Sequence, residues 1–229
     1  MFSYEKAWQG ARARIAAAAH AAGRAPGEVH LLAVSKTVAP DAVRAVHRLG
    51  QRAFGENYVQ EAMEKRAALA DLTDVAWHLI GPLQSNKTRA AAAAFDWVET
   101  VDRLKIAERL AAARDPSRGP LNVLVQVNAS GEVTKSGVSP PETVGLALAV
   151  NGLAGLRLRG IMGIPAPTDD PIRQRRQFAL LRECFEAVRA AGLPVDTLSM
   201  GMSADLEAAI AEGATEVRVG TAVFGARPA

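Results

Sequence analysis

Cysteine is almost missing from this sequence. Cys184 is the only one among 229 residues, so no disulfide can close within the chain, and a reducing, cytoplasmic setting is the expectation. In FALLRECFEAV it falls at helical spacing from Phe178, Leu181 and Phe185, the pattern of a core residue. Long apolar runs are missing too. The longest candidate, GLALAVNGLAGLRL, is broken by Asn151 and Arg157, which excludes the run of roughly 18 apolar residues that a membrane span takes. The first twenty residues, MFSYEKAWQGARARIAAAAH, lack the apolar stretch of a secretory signal. Charge of one sign is scarce: 27 Lys and Arg stand against 24 Asp and Glu, spread along the chain. Only Arg173, Arg175 and Arg176 cluster, and they read as a solvated helix start. A nucleic-acid surface needs a concentrated basic stripe, so neither nucleic acid nor membrane is an expected partner.

Short β-like runs alternating with helical patterns fill the space these absences leave. Strands are predicted over 30–35, 52–55, 77–80, 97–100, 121–128, 158–163, 196–199 and 216–219. Amphipathic segments such as 40–49, 57–70, 101–114 and 171–191 lie between them, with apolar residues at helical spacing. Pro40-Asp41, Ser85-Asn86, Asp102 and Ser203 supply helix start signals. Eight strands alternating with helices predict an α/β fold, a closed (β/α)8 barrel of residues 1–229 in one domain, with an extra helix at 3–22 before the first strand. An open doubly wound sheet competes, but no GxGxxG follows the first strand. In LNVLVQVN the polar Asn122, Gln126 and Asn128 share one face and Val123, Val125 and Val127 the other, as in a barrel whose interior holds polar groups.

In such barrels chemistry sits at the carboxyl ends of the strands, and polar residues gather there: Lys36, then Glu56 and Asn57, His78, Gln84, Ser85 and Asn86, and Asn128, Ser130, Lys135 and Ser136. The late segments SMGMSADLEAAI and VRVGTAVFG each read as strand end, glycine turn and helix start. Gly201 and Gly220 let a backbone approach a ligand, and new helix turns present unpaired N–H groups to an anion. The recurrent barrel phosphate site follows strands seven and eight. Asp205 would oppose an anion unless it faces away, and the ordinary alternative is two glycine turns with Ser203 as an N-cap.

Two charges stand in odd places. Lys36 closes LLAVSK in phase with Leu32 and Val34, which aims it into the barrel mouth. A free lysine (pKa about 10.4) is only about a thousandth neutral near pH 7.4. Desolvation would enlarge that fraction and supply an amine that attacks an aldehyde; snorkelling to solvent or pairing with Glu56 is the other reading. Arg218 lies opposite the face of Val217 and Val219 in EVRVG, so it points inward, either to a carboxylate or to the ring nitrogen of an aromatic cofactor. A lysine imine, a phosphate nest and an inward arginine together describe a pyridoxal phosphate site.

The stretches LLAVSKTV, FGENYVQE, WHLIGPLQSNK, VNASGEVTKSGV, RGIMGIPAP, LSMGMSADLEAAI and VRVGTAVFG run in order from Leu31 to Gly225. They resemble the pyridoxal phosphate homeostasis proteins, a family related to the barrel domain of alanine racemase. The resemblance implies a barrel of that type with pyridoxal 5'-phosphate held as a Schiff base on Lys36. Phosphate contacts would come from Ser199, Met200, Gly201, Ser203, Gly220 and Thr221. Arg218 would face the pyridine nitrogen, with Asn57 and His78 around the ring. A guanidinium does not readily release a proton, so the ring nitrogen would stay unprotonated and the ring would be a weaker electron sink. The family carries a second lysine two residues beyond the imine position, where this chain has Val38. The implied role is reversible cofactor binding in vitamin B6 homeostasis without significant turnover, by a monomer that serves pyridoxal phosphate and the apoenzymes that need it. A weak racemase is one alternative, but racemases of this class use a tyrosine in a C-terminal β-domain, and the tyrosines here are Tyr4 and Tyr58. A class I Schiff-base aldolase is the other.

Overall fold

The computed structural model describes residues 2–132 and 135–225. Val133 and Thr134, within VNASGEVTKSGV, lie outside the described residues. The strands are β1 (His30–Val34), β2 (Ala53–Glu56), β3 (Ala76–Leu79), β4 (Trp97–Val101), β5 (Leu121–Val127), β6 (Leu156–Gly163), β7 (Thr197–Met202) and β8 (Glu216–Val219). They close in chain order into one barrel, every pair parallel, with helices α2 (Pro40–Arg48), α3 (Val59–Ala68), α4 (Thr88–Ala94), α5 (Leu104–Ala113), α6 (Thr143–Asn151), α7 (Pro171–Ala190) and α8 (Leu206–Ala211) between successive strands.

Side-chain alternation explains why the sheet closes and where its core lies. Ala33, Phe54, Trp77, Leu79, Val98, Val123, Val125, Leu198, Val217 and Val219 belong to one apolar cluster shared with the surrounding helices. Each buried Val, Leu or Phe among them contributes about 1.5–3 kcal/mol. Leu32, Leu124 and Met162, on the opposite faces of their strands, are fully buried but outside that cluster; they point to the barrel axis. There they share space with polar side chains.

Helix α1 (Tyr4–Ala21) opens on Ser3, whose side chain accepts from the Lys6 N–H. Its buried stripe, Trp8, Ala11, Ile15 and Ala19, follows helical spacing. Trp8 Nε1 donates to Gln51 Oε1 at 3.1 Å, and Gln51 in turn donates to the carbonyls of Leu31 and Ala53. The helix is thus fastened to the start of β1 and β2, at the amino-terminal end of the barrel.

Several boundaries differ from the sequence expectations. β1 stops at Val34, so Lys36 sits in a turn instead of extending the strand. Helix α3 (Val59–Ala68) starts two residues after Asn57, and β4 runs on through Val101, so helix α5 is Leu104–Ala113. β7 continues to Met202, because Gly201 (φ +90°) lets the strand bend without ending. The residue that precedes helix α8 (Leu206–Ala211) is Asp205, not Ser203. The Asp205 carboxylate accepts the Met202 N–H, and this bond closes the intervening turn.

Candidate functional site

At the carboxyl end of β1 the chain makes a tight turn that carries Lys36. Ser35 N–H donates to Gly55 O at 2.9 Å, and Val38 N–H returns to Ser35 O at 3.0 Å. Thr37 is the only non-glycine with positive φ (62°) among the described residues, a conformation that surrounding contacts must hold in place. Lys65, from α3, supplies those contacts: its Nζ donates to Ser35 O at 2.7 Å and to Glu56 Oε1 at 2.6 Å, and pairs with Glu61 at 3.1 Å. Glu61 accepts the Thr37 N–H, and Ser35 Oγ donates to Glu56. Glu56 therefore serves the outer wall of the barrel, bonded to Lys65 and Ser35. Burial pushes its carboxyl upward, and the adjacent Lys65 opposes that shift. Lys36 itself is half-buried.

Across the mouth, β8 runs beside β1 with Leu32 level with Arg218 and Ala33 with Val219. Gly220 follows, and a Cβ there would lie 3.3 Å from Val34 O and 3.4 Å from Val34 Cβ. Gly220 is thus part of the wall from which the Lys36 turn departs. Gly201 also has a packing role. A Cβ on it would come 2.4 Å from Ala209 Cβ, so its bareness lets α8 pack against β7. Ser199 and Met200 are fully buried, Ser203 and Asn57 are half-buried, and Thr221 is exposed at the start of a short helix, Thr221–Phe224. Asp205, tied to the Met202 N–H, is a half-buried carboxyl pushed upward by desolvation.

Below the mouth, Arg218 points inward. Its Nη1 donates to Ser199 Oγ at 2.7 Å and its Nη2 to Gly163 O at 2.9 Å. Ser199 Oγ in turn donates to Glu99 Oε2 at 2.7 Å. The other oxygen of Glu99 meets His78 Nδ1 at 2.7 Å, and Glu216 Oε2 stands 3.9 Å from the same nitrogen. All of these groups are buried. Desolvation lowers His78 and Arg218 and raises Glu99, which Arg218 opposes. Glu216 is pushed up to about 7, first by burial and then by the neighbouring Glu99 charge. The His78 ring stacks on Trp97 with centroids 5.0 Å apart, and Arg159 lies over the far side of Trp97 at 4.6 Å.

Lys36, Asn57, Ser203, Gly220 and Thr221 therefore lie at or next to the carboxyl ends of their strands, with Ser199 and Arg218 one layer deeper. His78 lies lower still. It lines a cavity of about 770 Å³ at the amino-terminal end of the barrel, together with Trp97, Arg159 and Glu216, and none of Lys36, Asn57, Gly201 or Gly220 borders that space. Sequence reasoning missed Glu99 and Glu216. A signal existed: Glu216 shares the inward phase of Arg218, and Glu99 is out of phase with Val98.

A family model described as "Alanine racemase, N-terminal domain" matches residues 12–228 of this closed parallel barrel. The pyridoxal phosphate homeostasis protein of Pseudomonas aeruginosa is 59% identical over 215 residues, 94% of this chain and 92% of its own. That of Escherichia coli K12 is 50% identical over 218 residues, 94% of this chain and 93% of its own. The solved structure of PipY from Synechococcus elongatus PCC7942 with PLP bound is 38% identical and covers 92% of this chain and 100% of that one, with a TM-score of 0.79. Alanine racemase of Clostridium difficile 630, 16% identical with a TM-score of 0.73 over 88% of this chain and 53% of its own, shares the fold. The chain belongs to the alanine racemase N-terminal domain family, in the branch of the pyridoxal phosphate homeostasis proteins.

Proposed function

We propose that this chain binds pyridoxal 5'-phosphate reversibly through a Schiff base on Lys36 and acts in intracellular vitamin B6 homeostasis without significant turnover. On this reading residues 1–229 work as one cofactor-binding barrel, a cytoplasmic monomer, whose partners are the cofactor and the apoenzymes that receive it. Among the described residues no helix is long and apolar enough to cross a membrane. The observation that supports the reading best is the stacking along β1 and β8. Arg218 is level with Leu32 and buried, Gly220 abuts Val34, and Lys36 stands two residues further on. An amine, a bare backbone and a guanidinium are thereby layered from the mouth inward, which fits a flat ring with an aldehyde, an anionic tail and a ring nitrogen. The names of the relatives and the bound PLP in PipY support the same conclusion.

When bound, the cofactor supplies an aldehyde that condenses with an amine, with loss of water, and an electron-withdrawing ring. The chain's own residues do the rest. The Lys65–Glu56–Ser35 bonds hold the turn that presents Lys36. Ser199 Oγ is engaged with Glu99 and Arg218, and Met200 is packed in the apolar cluster. Both would therefore reach a phosphate through the backbone, while Ser203 and Thr221 have hydroxyls near the mouth. Asn57 borders the ring on this reading. A guanidinium carries five N–H donors, and the two bonds of Arg218 use two of them. It can add a donor to a ring nitrogen, and donating without releasing the proton keeps that nitrogen unprotonated and holds the bound cofactor back from carbanion chemistry.

Titration of the purified protein with pyridoxal 5'-phosphate tests the proposal. A yellow absorbance should form in the native chain and not in Lys36→Ala, with unchanged circular dichroism. Imine absorbance retained in Lys36→Ala overturns the assignment. A colourless protein that traps dihydroxyacetone phosphate under borohydride makes it an aldolase, and conversion of L-alanine to D-alanine makes it a racemase.

A further inference from the structure

We infer that the lower barrel interior is a binding site for a divalent transition-metal ion of the zinc class, ligated by His78, Glu99 and Glu216 and entered through the cavity at the amino-terminal end. This site is separate from the mouth and does not rest on the cofactor reading. One ligand atom from each of the three residues lies within 4.8 Å of the other two. With metal–ligand bonds of about 2.0–2.2 Å, tetrahedral ligands stand about 3.3–3.5 Å apart, so small side-chain rotations would close the set. An imidazole nitrogen with two carboxylate oxygens is a donor set for zinc, manganese or ferrous iron; magnesium and calcium prefer oxygen alone.

Three independent features point to an ion. Glu216 is only 6% exposed, yet its Oε1 is a buried atom with no hydrogen-bond partner among the described residues, a costly state for a carboxyl oxygen. Two buried carboxyl groups face one buried guanidinium, Arg218, whose hydrogen-bond link to Glu99 runs through Ser199. A cation on the far side of both carboxylates would offset what Arg218 leaves. The ligands are also held from behind: Ser199 donates to Glu99, and Trp97, itself backed by Arg159, stacks on His78. Such outer contacts orient ligands before metal arrives. His78 and Glu216 both line the 770 Å³ cavity, which provides a route from solvent and room for a water as fourth ligand. The ion would replace the hydrogen bond between His78 Nδ1 and Glu99 Oε1.

The competing occupant is a proton held between Glu99 and Glu216, and calorimetry of the full-length, chelator-stripped protein with Zn2+ separates the two. We expect one ion per chain, with affinity falling about tenfold or more in Glu99→Gln and in Glu216→Gln, and a visible d–d band when Co2+ is used. Should either variant fail to fold, zinc-edge X-ray absorption of the unmodified protein should show one nitrogen and two carboxylate oxygens at about 2.0–2.2 Å. No binding up to about 1 mM Zn2+, binding unchanged in both variants, or a shell lacking the nitrogen would overturn the site and leave the shared proton.

Discussion

The two ends of this barrel are made from the same eight strands and behave as different materials. At the carboxyl end the candidate groups sit beyond the strands: Lys36 and Ser203 on turns after β1 and β7, and Gly220 and Thr221 at the start of the short helix after β8. In the lower interior His78, Glu99 and Glu216 sit within strands, buried and facing one another. Arg218 is the layer between. The mouth takes its shape from backbone and from Lys65 outside the barrel, while the interior takes its shape from buried charged groups bonded to one another. A polar group changed at the mouth should alter binding, whereas one changed below should alter the fold.

Arg218→Met is the most severe way to break that contrast. It strips Ser199, Glu99 and Glu216 of their buried cation, and removing one partner of such a network costs about 3–5 kcal/mol. Urea unfolding should register that loss, while Lys36→Ala should stay within about 1 kcal/mol of the native chain. Lys65→Met sharpens the comparison from outside. It leaves Glu56 buried against Ser35 alone and should also cost about 3 kcal/mol, but with weaker cofactor retention, since the Lys36 turn loses its brace. Equilibrium dialysis at fixed cofactor would show the second effect. Gly201→Val forces a side chain against Ala209 at positive φ and should cost about 2–4 kcal/mol. Gly220→Ala meets Val34 at 3.3–3.4 Å; its stability loss should be under about 1 kcal/mol, so any drop in cofactor affinity there reports ligand approach. The mildest effect concerns Cys184. It is buried among Phe178, Leu181 and Phe185, and its thiol is raised by desolvation, so a thiol reagent should label it only after denaturation.

Much of the barrel was legible because its strands alternate on a period of two. In EVRVG the valines face the helices and Glu216 and Arg218 the axis, and the sequence alone aims Arg218 inward. The end of β7 was not legible, since Gly201 resembles a turn glycine until the packing of Ala209 against it is known. Glu56 looked like a mouth residue; a carboxylate at a strand end does not announce that a lysine nine positions later will take it outside the barrel. The Glu99–Ser199 bond joins residues a hundred positions apart, and no local pattern encodes that meeting.

The central claim stands on one amine. Borohydride reduction of the native protein after loading with pyridoxal 5'-phosphate, followed by peptide mass analysis, should fix a single phosphopyridoxyl group on the peptide containing Lys36. The label on Lys65, Lys135 or another lysine, or spread among several, would contradict the account.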